Sequence, residues 1–65
     1  MQIVINGEPK QTAARTLADL CAALDLAREK VATAVNGRFV PSGLRADLEL
    51  CADDEIEIVS PRQGG

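Results

Sequence analysis

Two Asn-Gly pairs constrain the fold of this 65-residue chain more than any other feature, because each follows a short run rich in β-branched residues. Asn6-Gly7 follows residues 1–5, in which the odd positions are apolar, and Asn36-Gly37 follows the apolar run 31–35. Asn and Gly both tolerate the positive φ angles of a two-residue hairpin turn. The sequence therefore predicts two β-hairpins, one at the start of the chain and one in its second half.

The strands that return from the two turns differ in character. Residues 8–12 are polar, and Pro9 has no N–H to donate to a neighbouring strand, so this return strand belongs at a sheet edge. Residues 38–40 return from the second turn, and Pro41-Ser42-Gly43 ends that strand. A two-residue turn at Asn36-Gly37 would make Val35 oppose Arg38. The next opposed pairs are then Ala34 with Phe39, and Thr33 with Val40.

A fifth strand is predicted near the end of the chain. Residues 55–59 alternate, which turns Ile56 and Ile58 inward and the two intervening glutamates outward. An irregular or short helical connection with Leu44, Leu48 and Leu50 precedes it, followed by a turn at Asp53-Asp54.

A helix is predicted between the two hairpins. Thr16 is a suitable N-cap, because its hydroxyl can accept from the backbone N–H three residues on. An apolar stripe at helical spacing follows, and the helix is expected to run about three turns and end near residues 25–27. The stripe consists of Leu17, Leu20, Cys21 and Leu24.

The element order, strand–strand–helix–strand–strand–strand, defines a fold class. The last strand needs a buried neighbour, and pairing it in parallel beside the first gives the β-grasp arrangement of ubiquitin. We therefore expect an α+β fold: a single β-grasp domain over residues 1–65, with a mixed sheet of four to five strands packed on one main helix. Residues 60–65 are expected to form an extended, flexible C-terminal tail.

Composition excludes several functions. Seven basic against ten acidic residues give a net charge of -3, and there is one aromatic residue, so nucleic-acid binding is not expected. No apolar run is long enough for a membrane span. Cys21 and Cys51 lack a CxxC spacing or any histidine, which argues against a metal site and favours buried or half-buried free thiols. No secretory signal is visible, so we expect a cytoplasmic protein.

No catalytic constellation is visible in the body of the chain. Without histidine, no Ser-His or Cys-His pair can form, and the carboxylates of residues 53–57 lie in a turn and on a solvated strand face. The unusual feature is the end, Gly64-Gly65. A backbone without side chains can enter a channel too narrow for a Cβ and presents an unhindered carboxylate. From composition alone, a frayed terminus or an expression remnant is an equally good interpretation.

Body and tail together resemble the ThiS family of sulfur carrier proteins of thiamine biosynthesis. The matching segments, in order, are Met1-Gln2-Ile3-Val4-Ile5-Asn6-Gly7, Thr16-Leu17-Ala18-Asp19-Leu20, Val35-Asn36-Gly37-Arg38-Phe39-Val40-Pro41, Glu55-Ile56-Glu57-Ile58-Val59 and Gly64-Gly65. The chain departs from the family at Asp53-Asp54, where Gly-Asp is usual, and aspartate adopts turn conformations less freely than glycine.

The resemblance implies a mechanism in which the protein is a co-substrate and not an enzyme. A ThiF-type enzyme would use ATP to adenylate Gly65, and a sulfur-donor protein would supply the sulfur of a C-terminal thiocarboxylate. Thiazole synthase would then take that sulfur. Gly64 would permit the narrow approach. ATP is used by the partner, and this protein is expected to bind no cofactor of its own.

Partner contacts are also predicted. Phe39 is a docking residue if the helix covers the opposite sheet face, and a core residue if the helix covers its own face; aromatic residues are usually buried, which favours core. Arg62 and Gln63, next to the terminal glycines, are further candidate partner contacts, and a solvated Arg62 is an equal alternative.

Other functions are compatible with the same residues. The small subunit of molybdopterin synthase shares the fold and terminus but is typically longer. A ubiquitin-like modifier or a sulfur carrier for transfer RNA is a second alternative. A plain binding module, in which the two glycines are incidental, is the alternative from another class.

Overall fold

The structure is a computed structural model that describes residues 1–26 and 30–60. It contains five strands, one α-helix and one 3₁₀ helix within those residues. The strands are β1 (Gln2–Ile5), β2 (Glu8–Gln11), β3 (Ala32–Val35), β4 (Arg38–Val40) and β5 (Glu55–Val59), the helix is α1 (Leu17–Ala23), and the 3₁₀ helix spans Ser42–Asp47.

All five strands form one mixed sheet in the order β2-β1-β5-β3-β4. Each hairpin is antiparallel, and β5 lies between them, parallel to β1 and antiparallel to β3. The predicted α+β class and mixed sheet are confirmed, as is the edge position of the Pro9 strand. In the described stretches, neither helix has the length and apolar character that crossing a bilayer requires.

Both Asn-Gly turns have the predicted geometry. Asn6 and Gly7 have φ angles of 50° and 85°, and Asn36 and Gly37 have 52° and 84°. Positive φ at both central residues gives a turn whose twist matches that of the flanking strands. The predicted register of the second hairpin is confirmed: Val35 opposes Arg38, Ala34 opposes Phe39 and Thr33 opposes Val40.

Helix α1 begins as predicted but is shorter than expected. The Asp19 N–H donates to Thr16 Oγ1 at 3.1 Å, so Thr16 is the N-cap. The predicted end near residues 25–27 is wrong, because α1 ends at Ala23 and Leu24, expected in the apolar stripe, is 42% exposed. Residues 27–29 lie outside the described part of the chain.

The end of the helix has a specific cause at Asp25. This residue has a φ of 61°, which stops helical propagation. The Leu26 N–H donates to the Cys21 carbonyl at 2.8 Å, and the Asp25 N–H donates to the Ala22 carbonyl at 3.0 Å. These are the two hydrogen bonds of a Schellman motif, with aspartate where glycine is commonest.

The core lies between α1 and one face of the sheet. Its polar member is Thr33, only 1% exposed, whose hydroxyl donates to the Val40 carbonyl at 2.8 Å. This bond satisfies a hydroxyl that would otherwise be costly to bury. The buried apolar side chains are Ile3, Leu17, Leu20, Cys21, Val35, Val40, Leu50 and Ile56.

The two cysteines lie in different environments. Both are free thiols, as predicted, and Cys21 is buried in the core. Burial raises the pKa of the Cys21 thiol, and the positive charge of Arg45 opposes part of that rise. The prediction that Cys51 is at least half-buried is wrong, because it precedes the turn at residues 52–53 and is exposed.

Candidate functional site

The terminal residues predicted to carry the chemistry lie outside the described part of the chain. These are Arg62, Gln63, Gly64 and Gly65. Their roles stay predictions. The structure does describe the segment that leads to them, β5 and the exposed Ser60 that follows it.

Strand β5 lies at the centre of the sheet and is followed in the sequence by residues 60–65, which we call the terminal segment. Ile56 is 1% exposed and belongs to the core, and Ile58 packs against that core. On one side, β5 pairs with β3 over four residues, from Val35–Ile56 to Ala32–Val59. The chain therefore leaves the sheet at Val59 from a strand that is held by core packing and by a neighbouring strand.

On its other side, β5 is held by β1 and then by a side chain. Strand β1 pairs with Glu55 and Ile56, and the Asn6 N–H donates to the Ile56 carbonyl at 2.8 Å. Beyond that point, the Asn6 side chain bonds to both the N–H and the carbonyl of Ile58. Sequence reasoning assigned Asn6 to the turn alone. The available signal was its amide, a donor and acceptor pair like that of a peptide group.

The Asn36 side chain holds the opposite end of β5. Its Oδ1 accepts from the Glu55 N–H at 2.9 Å, and its Nδ2 donates to Asp54 Oδ1 at 2.9 Å. The other oxygen of that carboxylate, Asp54 Oδ2, accepts from the Cys51 N–H at 2.8 Å. The two hairpin turns thus contact the first and fourth residues of the same central strand.

Phe39 lies on the sheet face that α1 does not cover and is 69% exposed. The expectation that favoured a core position is therefore wrong. In the predicted register, Thr33 and Val40 share one face with Val35, and α1 packs against that face because Leu17 and Leu20 need its apolar side chains. Thr33 is accommodated there by its hydrogen bond to Val40.

Phe39 forms one end of an apolar strip that crosses the uncovered face. It opposes Ala34 on β3, and Ala32 on the same strand opposes Val59 of β5, which is 58% exposed. We call Ala32, Ala34, Phe39 and Val59 the apolar strip. It reaches Val59, the last residue of β5.

Acidic side chains flank the apolar strip. Glu57 opposes Ala34, and Glu55 opposes Val4; both glutamates are exposed, as their alternation predicted. Within residues 1–26 and 30–60, no three histidine, cysteine or acidic side chains converge as a metal site would need. The uncovered face is thus apolar at one side and negatively charged beside it, which complements a partner surface with apolar and basic groups.

Fold and site together define a β-grasp protein with an anchored C-terminal strand and an uncovered sheet face. The chain belongs to the ThiS family, whose family model matches residues 3–65 and so includes the terminal glycines. No curated protein matches the chain.

Two solved structures are similar to the fold. A crystal structure of thiamine biosynthesis protein ThiS from Geobacter metallireducens has a TM-score of 0.82 at 23% identity, covering 100% of both chains. A solution NMR structure of a thiamine biosynthesis protein from the same organism has a TM-score of 0.80 at 23% identity, covering 100% of this chain and 88% of that one. These likenesses establish the fold.

Proposed function

We propose that this protein is a sulfur carrier that delivers sulfur as a C-terminal thiocarboxylate for thiazole formation in thiamine biosynthesis. The observation that carries the proposal is the family match through Gly64-Gly65, at the end of a chain whose last strand is anchored at the sheet centre. The similar structures from Geobacter metallireducens, which are thiamine biosynthesis proteins, support the choice of pathway.

The chemistry requires little from this chain beyond its terminal carboxylate. A ThiF-type enzyme joins the Gly65 carboxylate to the α-phosphate of ATP and releases pyrophosphate. A sulfide-level nucleophile supplied by a donor protein then attacks the acyl carbon, the C–S bond forms as the C–O bond to AMP breaks, and thiazole synthase consumes the resulting thiocarboxylate. The absence of a Cβ at Gly64 and Gly65 leaves room for a nucleophile at the carbonyl carbon. The protein is a co-substrate, and its partners supply the catalytic groups and ATP.

Docking is assigned to the apolar strip, with Phe39 as its largest side chain. Large aromatic side chains at the centre of an interface contribute much of the binding free energy when they are desolvated. Arg62 and Gln63 would contact the partner as the terminal segment enters its active site.

The first test is an intact mass of the full chain after incubation with a ThiF-type enzyme, ATP and a sulfur source. We expect a gain equal to replacement of one oxygen by one sulfur, mapped to Gly65. A variant lacking Gly64 and Gly65 should show no gain and retain the stability of the parent, because the deletion lies beyond β5. An unchanged mass with adenylating enzymes that modify a known carrier would contradict the proposal and favour a binding module.

The docking assignment is tested separately by Phe39→Ser. This change should weaken binding of the adenylating enzyme at least about tenfold, since the largest side chain of the apolar strip is lost. Leu44→Ser is the matched control, because Leu44 is 55% exposed but lies on the 3₁₀ helix, which packs with α1 and not on the uncovered face. Equal binding by the parent and both variants would exclude the apolar strip as the docking surface.

A further inference from the structure

The Asn6 side chain makes a two-point contact with the backbone near the end of β5. Its Oδ1 accepts from the Ile58 N–H at 2.9 Å, and its Nδ2 donates to the Ile58 carbonyl at 3.1 Å. The two residues are 52 positions apart in the chain. A carboxamide offers one acceptor and donors in a plane, so it can pair with a strand much as a peptide group does.

This contact begins where the backbone pairing between β1 and β5 stops. Strand β1 ends at Ile5 because the chain turns at Asn6-Gly7, whereas β5 continues to Val59. The Asn6 N–H still reaches the Ile56 carbonyl, and the side chain then serves Ile58, the next residue whose N–H and carbonyl face this side of β5. At Ile58, the backbone hydrogen bonds on the side of β5 that faces β1 are thus made by one side chain, that of Asn6.

We propose that Asn6 is a positioning residue that fixes the direction in which the chain leaves the sheet after Val59. The role rests on the proposed carrier function, because it matters only if a partner must receive the terminal glycine. Six residues extended in a partner's channel span about 20 Å, so a tilt of about 10° at their base displaces the end by about 3 to 4 Å. Such a displacement is large compared with the tolerance of a reacting carbonyl.

Asn36 provides a matched control within the same chain. It has nearly the same φ, 52° against 50°, and its side chain also bonds to β5, at Glu55 and Asp54. It holds the start of the strand and not its end. Glycine adopts positive φ readily, so Asn6→Gly and Asn36→Gly both keep the turn and remove the side-chain bonds. The two variants differ mainly in which end of β5 is released.

Amide hydrogen exchange measured by NMR on the full chain reports the contact directly. In Asn6→Gly, the Ile58 amide should exchange about five- to tenfold faster, because it loses its acceptor, while the Glu55 amide is unchanged. Asn36→Gly should give the reverse pattern. An Ile58 amide that exchanges at the parent rate in Asn6→Gly would overturn the proposal.

Adenylation by a ThiF-type enzyme separates a positioning role from a merely structural one. In Asn6→Gly, we expect kcat for adenylation to fall about tenfold, with Kd for the enzyme unchanged, because the apolar strip is intact while the terminus is misplaced. Asn36→Gly should keep both values. Asn6→Asp, which retains the acceptor for the Ile58 N–H but not the donor, should restore part of kcat.

The outcomes distinguish this role from the proposed function. If the parent is adenylated and Asn6→Gly is adenylated equally fast, or if both glycine variants lose the same activity, the positioning role is overturned and the carrier function stands. If the parent is not adenylated by an enzyme active on a known carrier, the proposed function fails, and the role of Asn6 in the reaction fails with it.

Discussion

At the scale of single residues, four non-glycine positions in the described part of the chain have positive φ. Asn6 and Asn36 use their side chains to hold β5, so their backbone conformation is supported by hydrogen bonds. Asp25 ends α1, and Asp53, with a φ of 70°, lies in the turn before β5. Left-handed backbone geometry costs free energy at a residue with a Cβ. The two aspartates therefore lower the stability of the folded protein.

Asp53→Gly should increase the free energy of unfolding by about 0.5 to 1 kcal/mol, because glycine adopts this φ without a Cβ clash. Asp54→Gly is the neighbouring control and should lower stability by about 1 to 2 kcal/mol, because the Asp54 carboxylate accepts from Cys51 and Asn36. Urea unfolding measures both values, and an Asp53→Gly variant less stable than the parent would contradict the argument.

The two thiols should differ sharply in reactivity. At pH 8, iodoacetamide should alkylate Cys51 in the folded protein, while Cys21 reacts only after denaturant is added, because Cys21 is 3% exposed and burial raises the pKa of its thiol. Peptide mass mapping distinguishes the sites. Simultaneous labelling of both thiols in the native protein would mean that the core opens more readily than its packing indicates.

At the scale of elements, strands and turns follow from the sequence because their determinants are local. Alternation, the Asn-Gly pairs and Pro9 predicted the strands, the hairpin register and the edge position. The end of α1 was missed because the apolar spacing continues to Leu24, while the helix is stopped by the backbone conformation of Asp25. Aspartate at that position is a weaker signal than the glycine that usually ends helices in this way.

The candidate site was predictable in part for a related reason. The second hairpin's register correctly placed Phe39 and Val40 on opposite faces, but both faces carry apolar residues, so register alone did not show which one α1 covers. The covered face also carries the polar Thr33, whose burial is made possible by its bond to Val40 and a further bond from Arg45. That arginine comes from a distant segment, and such tertiary contacts are not visible in strand periodicity.

Arg45 joins the 3₁₀ helix to the beginning of the second hairpin. Its Nε donates to Thr33 Oγ1 at 3.0 Å, and its Nη2 donates to the Val31 carbonyl at 2.7 Å. Arg45→Met keeps the apolar stem and removes both bonds, so we expect a loss of about 1 to 3 kcal/mol in unfolding free energy. Chemical denaturation gives the value.

Arg38→Met is the control for that change. Arg38 is exposed on β4 and makes no side-chain hydrogen bond or ion pair to the residues that the structure describes, so its loss should cost at most about 0.5 kcal/mol. Equal losses for the two arginines would show that the Arg45 bonds add nothing to stability.

At the scale of the whole molecule, stability depends on a core of few side chains. A domain of about this size buries a modest share of its surface, so one core change removes much of its stability. Ile56→Ala should cost about 2 to 5 kcal/mol, because the side chain is 1% exposed at the centre of the sheet.

Val59→Ala, on the same strand but 58% exposed, is the matched comparison and should cost about 0.5 kcal/mol or less. Thermal melts followed by circular dichroism compare the two variants. If Val59→Ala were as destabilising as Ile56→Ala, the uncovered face would have to be packed against something in solution, and the apolar strip could not be open for docking.

The central place of β5 also has a consequence for synthesis on the ribosome. The two hairpins share no strand pairing until residues 55–59 join them, although those residues are the last of the described strands to be translated. A nascent chain that stalls before this strand therefore has two unjoined hairpins and an incomplete core, which leaves it open to quality-control proteases. Only chains translated through β5 can assemble the sheet. The fold can therefore be completed only at the stage of translation at which the terminal segment is also added.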